Sequence, residues 1–158
     1  MKNKIYHIQI LFILICLFYN NASSTEQFNF DVTEVEIIEN GNIYRGLKRG
    51  VISTNNGTII NANTFEYNKQ TNVLNAKGNV KIEDTIKDYI IFADDITYFR
   101  NEKKIVTKGK TQSDIKSKYN IKSKDVTFFE DIQKLVSDNK TIIKDKAVFY
   151  VTYEDTSV

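Results

Sequence analysis

The chain has 158 residues, 41% hydrophobic and 27% charged, which suits one domain with a buried core and excludes both two ordinary domains and a disordered composition. It carries 22 basic against 20 acidic residues; its single His (His7), single Cys (Cys16) and single Met (Met1) all precede residue 17, and it has no Pro or Trp. With that first segment removed, Cys/His zinc sites, His-dependent nucleophiles and structural disulfides are excluded.

The first segment reads as a targeting signal. Lys2 and Lys4 precede an unbroken apolar run over residues 10–19, and the small residues Ala22 and Ser24 follow. That run falls short of the roughly 20 apolar residues needed to span a bilayer, so the expectation is a signal peptide over 1–22, cleaved between about 22 and 24, rather than an uncleaved anchor. The remaining domain, 23–158, loses only those two lysines and holds 20 basic against 20 acidic residues. No basic excess is left for a nucleic-acid footprint, and none is expected.

Residues 28–38 read as a leading strand, with Phe28, Phe30 and Val32, then Val35 and Ile37, apolar. Asn40-Gly41 and Asn56-Gly57 are tight-turn dipeptides, because both residue types tolerate positive φ. An internal repeat follows. Ile60-x-Ala62-x-x-Phe65-x-Tyr67 and Leu74-x-Ala76-x-Gly78-x-Val80-x-Ile82 form the first copy. Ile91-x-Ala93-x-x-Ile96-x-Tyr98 and Ile105-x-Thr107-x-Gly109-x-Thr111 come thirty-one residues later. Ile121-x-Ser123-x-x-Val126-x-Phe128 and Leu135-x-Ser137-x-Asn139-x-Thr141, then Ile143, come thirty further on.

Within each copy apolar and polar residues alternate, the period of a strand with one buried face, and Ile, Val, Thr, Phe and Tyr dominate. The alternation slips by one at the same place in every copy, which predicts corners near 63–64, 94–95 and 124–125. Polar turns are predicted at 68–72, 100–103 and 130–133. No sustained helical period occurs, so the fold class is all-β. Units of about thirty residues cannot bury their apolar faces alone and must stack into a roll. Tyr67, Tyr98 and Phe128 should then share one face. Residues 142–149 echo the repeat's opening phrase.

The phrases Ala62-Asn63-Thr64-Phe65-Glu66-Tyr67, Ala93-Asp94-Asp95-Ile96-Thr97-Tyr98 and Leu74-Asn75-Ala76-Lys77-Gly78-Asn79-Val80-Lys81-Ile82 resemble the OstA-like (organic solvent tolerance) domain family. The second copy departs at Lys110-Thr111 and the third at Ser123-Lys124 and Asp138-Asn139-Lys140. The resemblance spans roughly 28–153 and implies an antiparallel β-jellyroll with an open apolar groove for lipid A acyl chains. It also implies an exported, periplasmic, non-enzymatic conduit for lipopolysaccharide, without cofactor or metal. The family holds a periplasmic bridge protein and the N-terminal domain of an outer-membrane assembly barrel. The chain is either a free-standing bridge-type protein or such a domain cut short or split from its barrel.

The candidate groove lining is the inward columns: Ile60, Phe65, Tyr67, Leu74, Val80, Ile82, Ile91, Ile96, Tyr98, Ile105, Val126, Phe128 and Leu135. Candidate partner contacts are Phe30 and Val32 at one end and Phe149 and Val151 at the other, where exposed edges would add a strand of another OstA-like domain end to end. An assembly barrel encoded separately would be a further partner. The alternative is a closed structural roll that pairs with other envelope proteins and carries no lipid. Carboxylate pairs stand at Glu83-Asp84, Asp94-Asp95 and Glu130-Asp131; neighbours on a strand face opposite ways, and the pairs at turns are expected to be solvated. A carbohydrate-active β-helix is the enzyme-class rival, and two acids buried together inside the roll would revive it.

Overall fold

The structure, a computed structural model, describes residues 28–145. The signal segment 1–22, and Phe149 and Val151 of the second candidate edge, lie outside the described residues. Fourteen strands make up the described chain: β1 (Phe28–Val32), β2 (Val35–Ile38), β3 (Ile43–Gly46), β4 (Gly50–Thr54), β5 (Thr58–Ala62), β6 (Thr64–Asn68), β7 (Val73–Asp84), β8 (Tyr89–Phe99), β9 (Lys104–Lys108), β10 (Lys110–Ile115), β11 (Tyr119–Lys124), β12 (Thr127–Phe129), β13 (Lys134–Val136) and β14 (Ile142–Asp145). Two single turns of 3-10 helix, Glu39–Gly41 and Arg100–Glu102, are the only helical pieces among the described residues.

All pairings are antiparallel, and the sheet is creased into two layers that share β7 and β8. One layer runs β1-β4-β5, the second half of β7, the first half of β8, then β10-β11-β14. The other runs β2-β3-β6, the first half of β7, the second half of β8, then β9-β12-β13. The sheet does not close on itself: β1 and β2 end the layers on one side, β14 and β13 on the other.

The crease falls where the alternation slips. β5 gives way to β6 at Asn63, β7 changes partners between Lys77 and Val80, and Asp125 (φ 50°) separates β11 from β12. Gly78 (φ 76°) and Gly109 (φ 83°) supply the left-handed backbone of the return corners. Acidic side chains then hold the corner amides. Asp95 accepts from the Gly78 N–H, Asp94 from the Lys110 N–H and Asp125 from the Gly109 N–H. The Asp94-Asp95 pair therefore ties a corner on each side of β8. A Cβ on Gly109 would stand 2.0 Å from an Asp94 carboxylate oxygen, in a backbone region that L residues avoid. Gly109→Ala is expected to cost roughly 1–3 kcal/mol, read as a lower denaturant midpoint with unchanged slope; an unchanged midpoint would show that the corner relaxes freely.

The leading segment predicted as one strand is two. Its apolar phase also slips, between Val32 and Val35, and there the chain crosses from the first layer into the second. Of the phrase at 142–149 that echoes the repeat's opening, only 142–145 lie among the described residues. Ile143 stands opposite Ile121 on β11, so β14 is the return strand of the third unit, and Ile82, Ser113 and Ile143 occupy equivalent places.

The register sets the interior. Across the first layer Phe30, Ile52, Ile60, Ile82, Ile91, Ser113, Ile121 and Ile143 stand opposite one another from strand to strand. Across the second, Tyr44, Tyr67, Leu74, Tyr98, Ile105, Phe128 and Leu135 do the same. Tyr67, Tyr98 and Phe128 share one face, as the repeat requires.

Candidate functional site

Of the thirteen residues expected to line a groove, all but Val126 belong to one apolar cluster between the layers, with Tyr67 and Leu135 at its half-buried margins. Val126 is buried at a corner, where its N–H and C=O pair with Thr107. Phe65, Ile96, Tyr98, Val126 and Phe128 were expected beside an open groove; each is at most 3% exposed. In this structure each is covered by the side chains packed around it. Phe30 and Val32 lie on the end strand β1 with their side chains against the same cluster, which leaves the backbone of that strand as its outward edge.

At the β1 end the interior is plugged by rings. Phe28 meets Tyr67 edge-on with centroids 4.8 Å apart, Phe30 stacks on Tyr44 at 5.7 Å, and the Arg100 guanidinium lies 4.6 Å over the Phe28 ring. Ile52, Tyr89 and Ile115 join this cluster without having been singled out, and Phe28 joins it from the leading strand. Tyr89 was legible, since it stands two residues before Ile91 on an alternating strand.

Farther along, a buried polar network spans the edge opposite the crease. Asp84 ends β7 and accepts from the N–H groups of Ile86 and Lys87, shaping the β7–β8 turn, and from the Thr58 hydroxyl at 3.0 Å. Glu130, in the turn after β12, accepts from the hydroxyls of Tyr89 and Tyr98. The Lys87 ammonium lies 3.2 Å from Glu130 and 3.8 Å from Asp84. Gln133 donates to the Lys87 carbonyl at 2.8 Å. Burial, and next the Glu130 carboxylate, push the Tyr89 and Tyr98 hydroxyls well above the usual phenol range, so both remain proton donors.

This corrects the expectation that acids at turns are solvated: Asp84 and Glu130 are 1% and 2% exposed. They are the buried pair whose presence was to favour a glycosidase. Yet a lysine bridges them and hydroxyls occupy Glu130, so neither faces a substrate-sized space.

Among the described residues the interior opens at the β13–β14 end. A cleft of about 380 Å³ is lined by Ile115, Tyr119, Ile121, Gln133, Leu135 and Ile143, with Ser137 and Thr141 at its rim. Ile143 is 63% exposed there, although its row is buried from Ile52 to Ile121. Ser113, one step inward, is buried, and its Oγ has no hydrogen-bond partner.

No protein-family model matches the sequence. No curated protein matches it either. The fold is similar to the crystal structure of LptH, the LptA-homologous periplasmic component of the lipopolysaccharide transport device of Pseudomonas aeruginosa. The TM-score is 0.66 at 12% identity, covering 75% of this chain and 94% of that one. The fold is an LptA-like β-jellyroll. The all-β reading of the repeat agrees with that likeness.

Proposed function

We propose that this chain is an exported, OstA-like conduit module, which shields lipopolysaccharide acyl chains between its layers and passes them across the periplasm without covalent chemistry. One observation carries the reading: the inward row, apolar except at Ser113, runs in register through the first layer and surfaces at Ile143, beside the cleft. Removing an acyl chain from water supplies about 0.8 kcal/mol per buried CH₂, so one chain gives a large gross gain. The likeness to LptH supports the same reading at the level of fold. The end strands β1 and β14 offer edges for another roll, with Phe30 and Val32 near one junction and exposed Ile142 and Ile143 near the other. Phe149 and Val151, expected as contacts of that second edge, lie outside the described residues. An assembly barrel would receive the lipid.

A photoreactive residue at Ile121, Leu135 or Ile143 is expected to crosslink lipopolysaccharide in living cells, whereas one at the outward-facing Phe92 is not. Equal labelling at Phe92, or none at the interior positions, would overturn the conduit. A second reading has its own support, because the middle of the interior is filled. A structural roll that pairs with envelope proteins would give protein crosslinks from Ile142 and no lipid crosslinks anywhere.

A further inference from the structure

An acyl chain that reaches the interior must pass a boundary of the roll. The crease is continuous backbone, the β1 end is filled by the rings around Phe28, and the β13–β14 end is the axial cleft already described. The edge opposite the crease is different. There the β7–β8 turn of one layer meets the β12–β13 turn of the other, and no backbone–backbone hydrogen bond joins them among the described residues. Side chains alone hold them: Lys87 to Glu130, Tyr89 to Glu130, and Gln133 to the Lys87 carbonyl.

We propose that this edge is the lateral portal for a single acyl chain, and that Glu130 with Lys87 is the latch that holds it shut. The inference rests on the conduit reading above. The bonds of the latch are separate from the ladders that build each layer. β12 pairs only with β9 and β13, and β7 and β8 pair with each other, so both layers keep their backbone bonds when the latch parts. The corners at Gly78 and Gly109 are the bends about which the layers would separate. Beneath the latch the Tyr89 and Phe128 rings meet at 4.9 Å, an apolar contact between layers that a guest chain would replace.

An ion pair with one partner buried and the other half-buried suits a latch. Its mutual attraction is offset by the cost of holding the ions out of water, so an opened edge recovers hydration for what it loses in pairing. The charged and titratable groups facing Glu130 are Lys87, Tyr89 and Tyr98, with Asp84 beyond Lys87 and Arg100 acting on Tyr98.

The test uses the full chain with Cys16→Ser and spin labels on Ile86→Cys and Ile132→Cys, exposed positions flanking the latch. Their distance is measured by electron double resonance, and uptake of cis-parinaric acid is followed by stopped-flow fluorescence. Glu130→Gln and, separately, Lys87→Gln should lengthen and broaden the distance and speed uptake about tenfold, the ratio that follows from 1.4 kcal/mol. Lys87→Gln keeps the Glu130 acceptor for both tyrosines, so it reports on the latch even where Glu130→Gln unfolds the chain. An unchanged distance in a folded variant overturns the latch. A longer distance without faster uptake overturns the portal; lipid crosslinks at Ile121 would then leave the conduit standing with its way in elsewhere. No uptake by any form, with no crosslinks, removes portal and conduit together.

Discussion

Phe128→Ala will lower the unfolding free energy by about 3–5 kcal/mol, the range for truncating a buried aromatic ring whose surroundings relax only in part. Phe128 is fully buried, lies between Ile105 and Leu135 in the inward row, and reaches across to the Tyr89 ring. Its loss therefore empties space inside one layer and between the two. Urea titration followed by circular dichroism checks this, with Phe92→Ala on the outer face as the comparison, where a loss below about 1 kcal/mol is expected for a part-exposed ring. Equal losses at the two positions would mean that the interior is not the stabilising core.

Raising the pH above about 10 will erode stability by roughly 3 kcal/mol per pH unit, as two tyrosines at about 1.4 kcal/mol each. The unfolded chain gives up tyrosine protons near pH 10. The folded chain retains those of Tyr89 and Tyr98, whose hydroxyls burial and the Glu130 carboxylate hold well above that value. Above pH 10 the native state thus binds more protons than the unfolded state, and stability falls as pH rises. Below pH 10 the contribution is complete. Denaturant titrations at pH 9, 10 and 11 measure the slope, and the Tyr89→Phe, Tyr98→Phe double variant should flatten most of it, although it is less stable at neutral pH. A slope that persists in that variant would assign the alkaline loss to other groups.

The crease was legible because a one-residue slip in an alternating pattern has one physical meaning: the inward face changes strand wall. Three such slips at one period place the corners near 63–64, 94–95 and 124–125, where the structure has them. The buried charges were passed over because acids beside turns are ordinarily hydrated. Parity carried past the strand ends would have found them. Glu130 is two residues beyond Phe128, Arg100 two beyond Tyr98 and Asp84 two beyond Ile82, so each continues an inward column. The filled interior was beyond the pattern's reach. Alternation tells which side chains face inward, whereas the distance between the walls depends on how rings such as Tyr89 and Phe128 interdigitate.

The repeating corners also make the molecule a ruler. Each unit of about thirty residues delivers one opening and one return segment to each wall, and neighbouring strands stand about 4.8 Å apart. One unit therefore advances the axis by about 10 Å, whatever its side chains. Lengthening or shortening such a chain by whole units changes its reach in steps of that size and leaves every remaining pairing intact, whereas half a unit would leave one wall a strand short. The dimension that matters for bridging a gap is thus written in the number of corners.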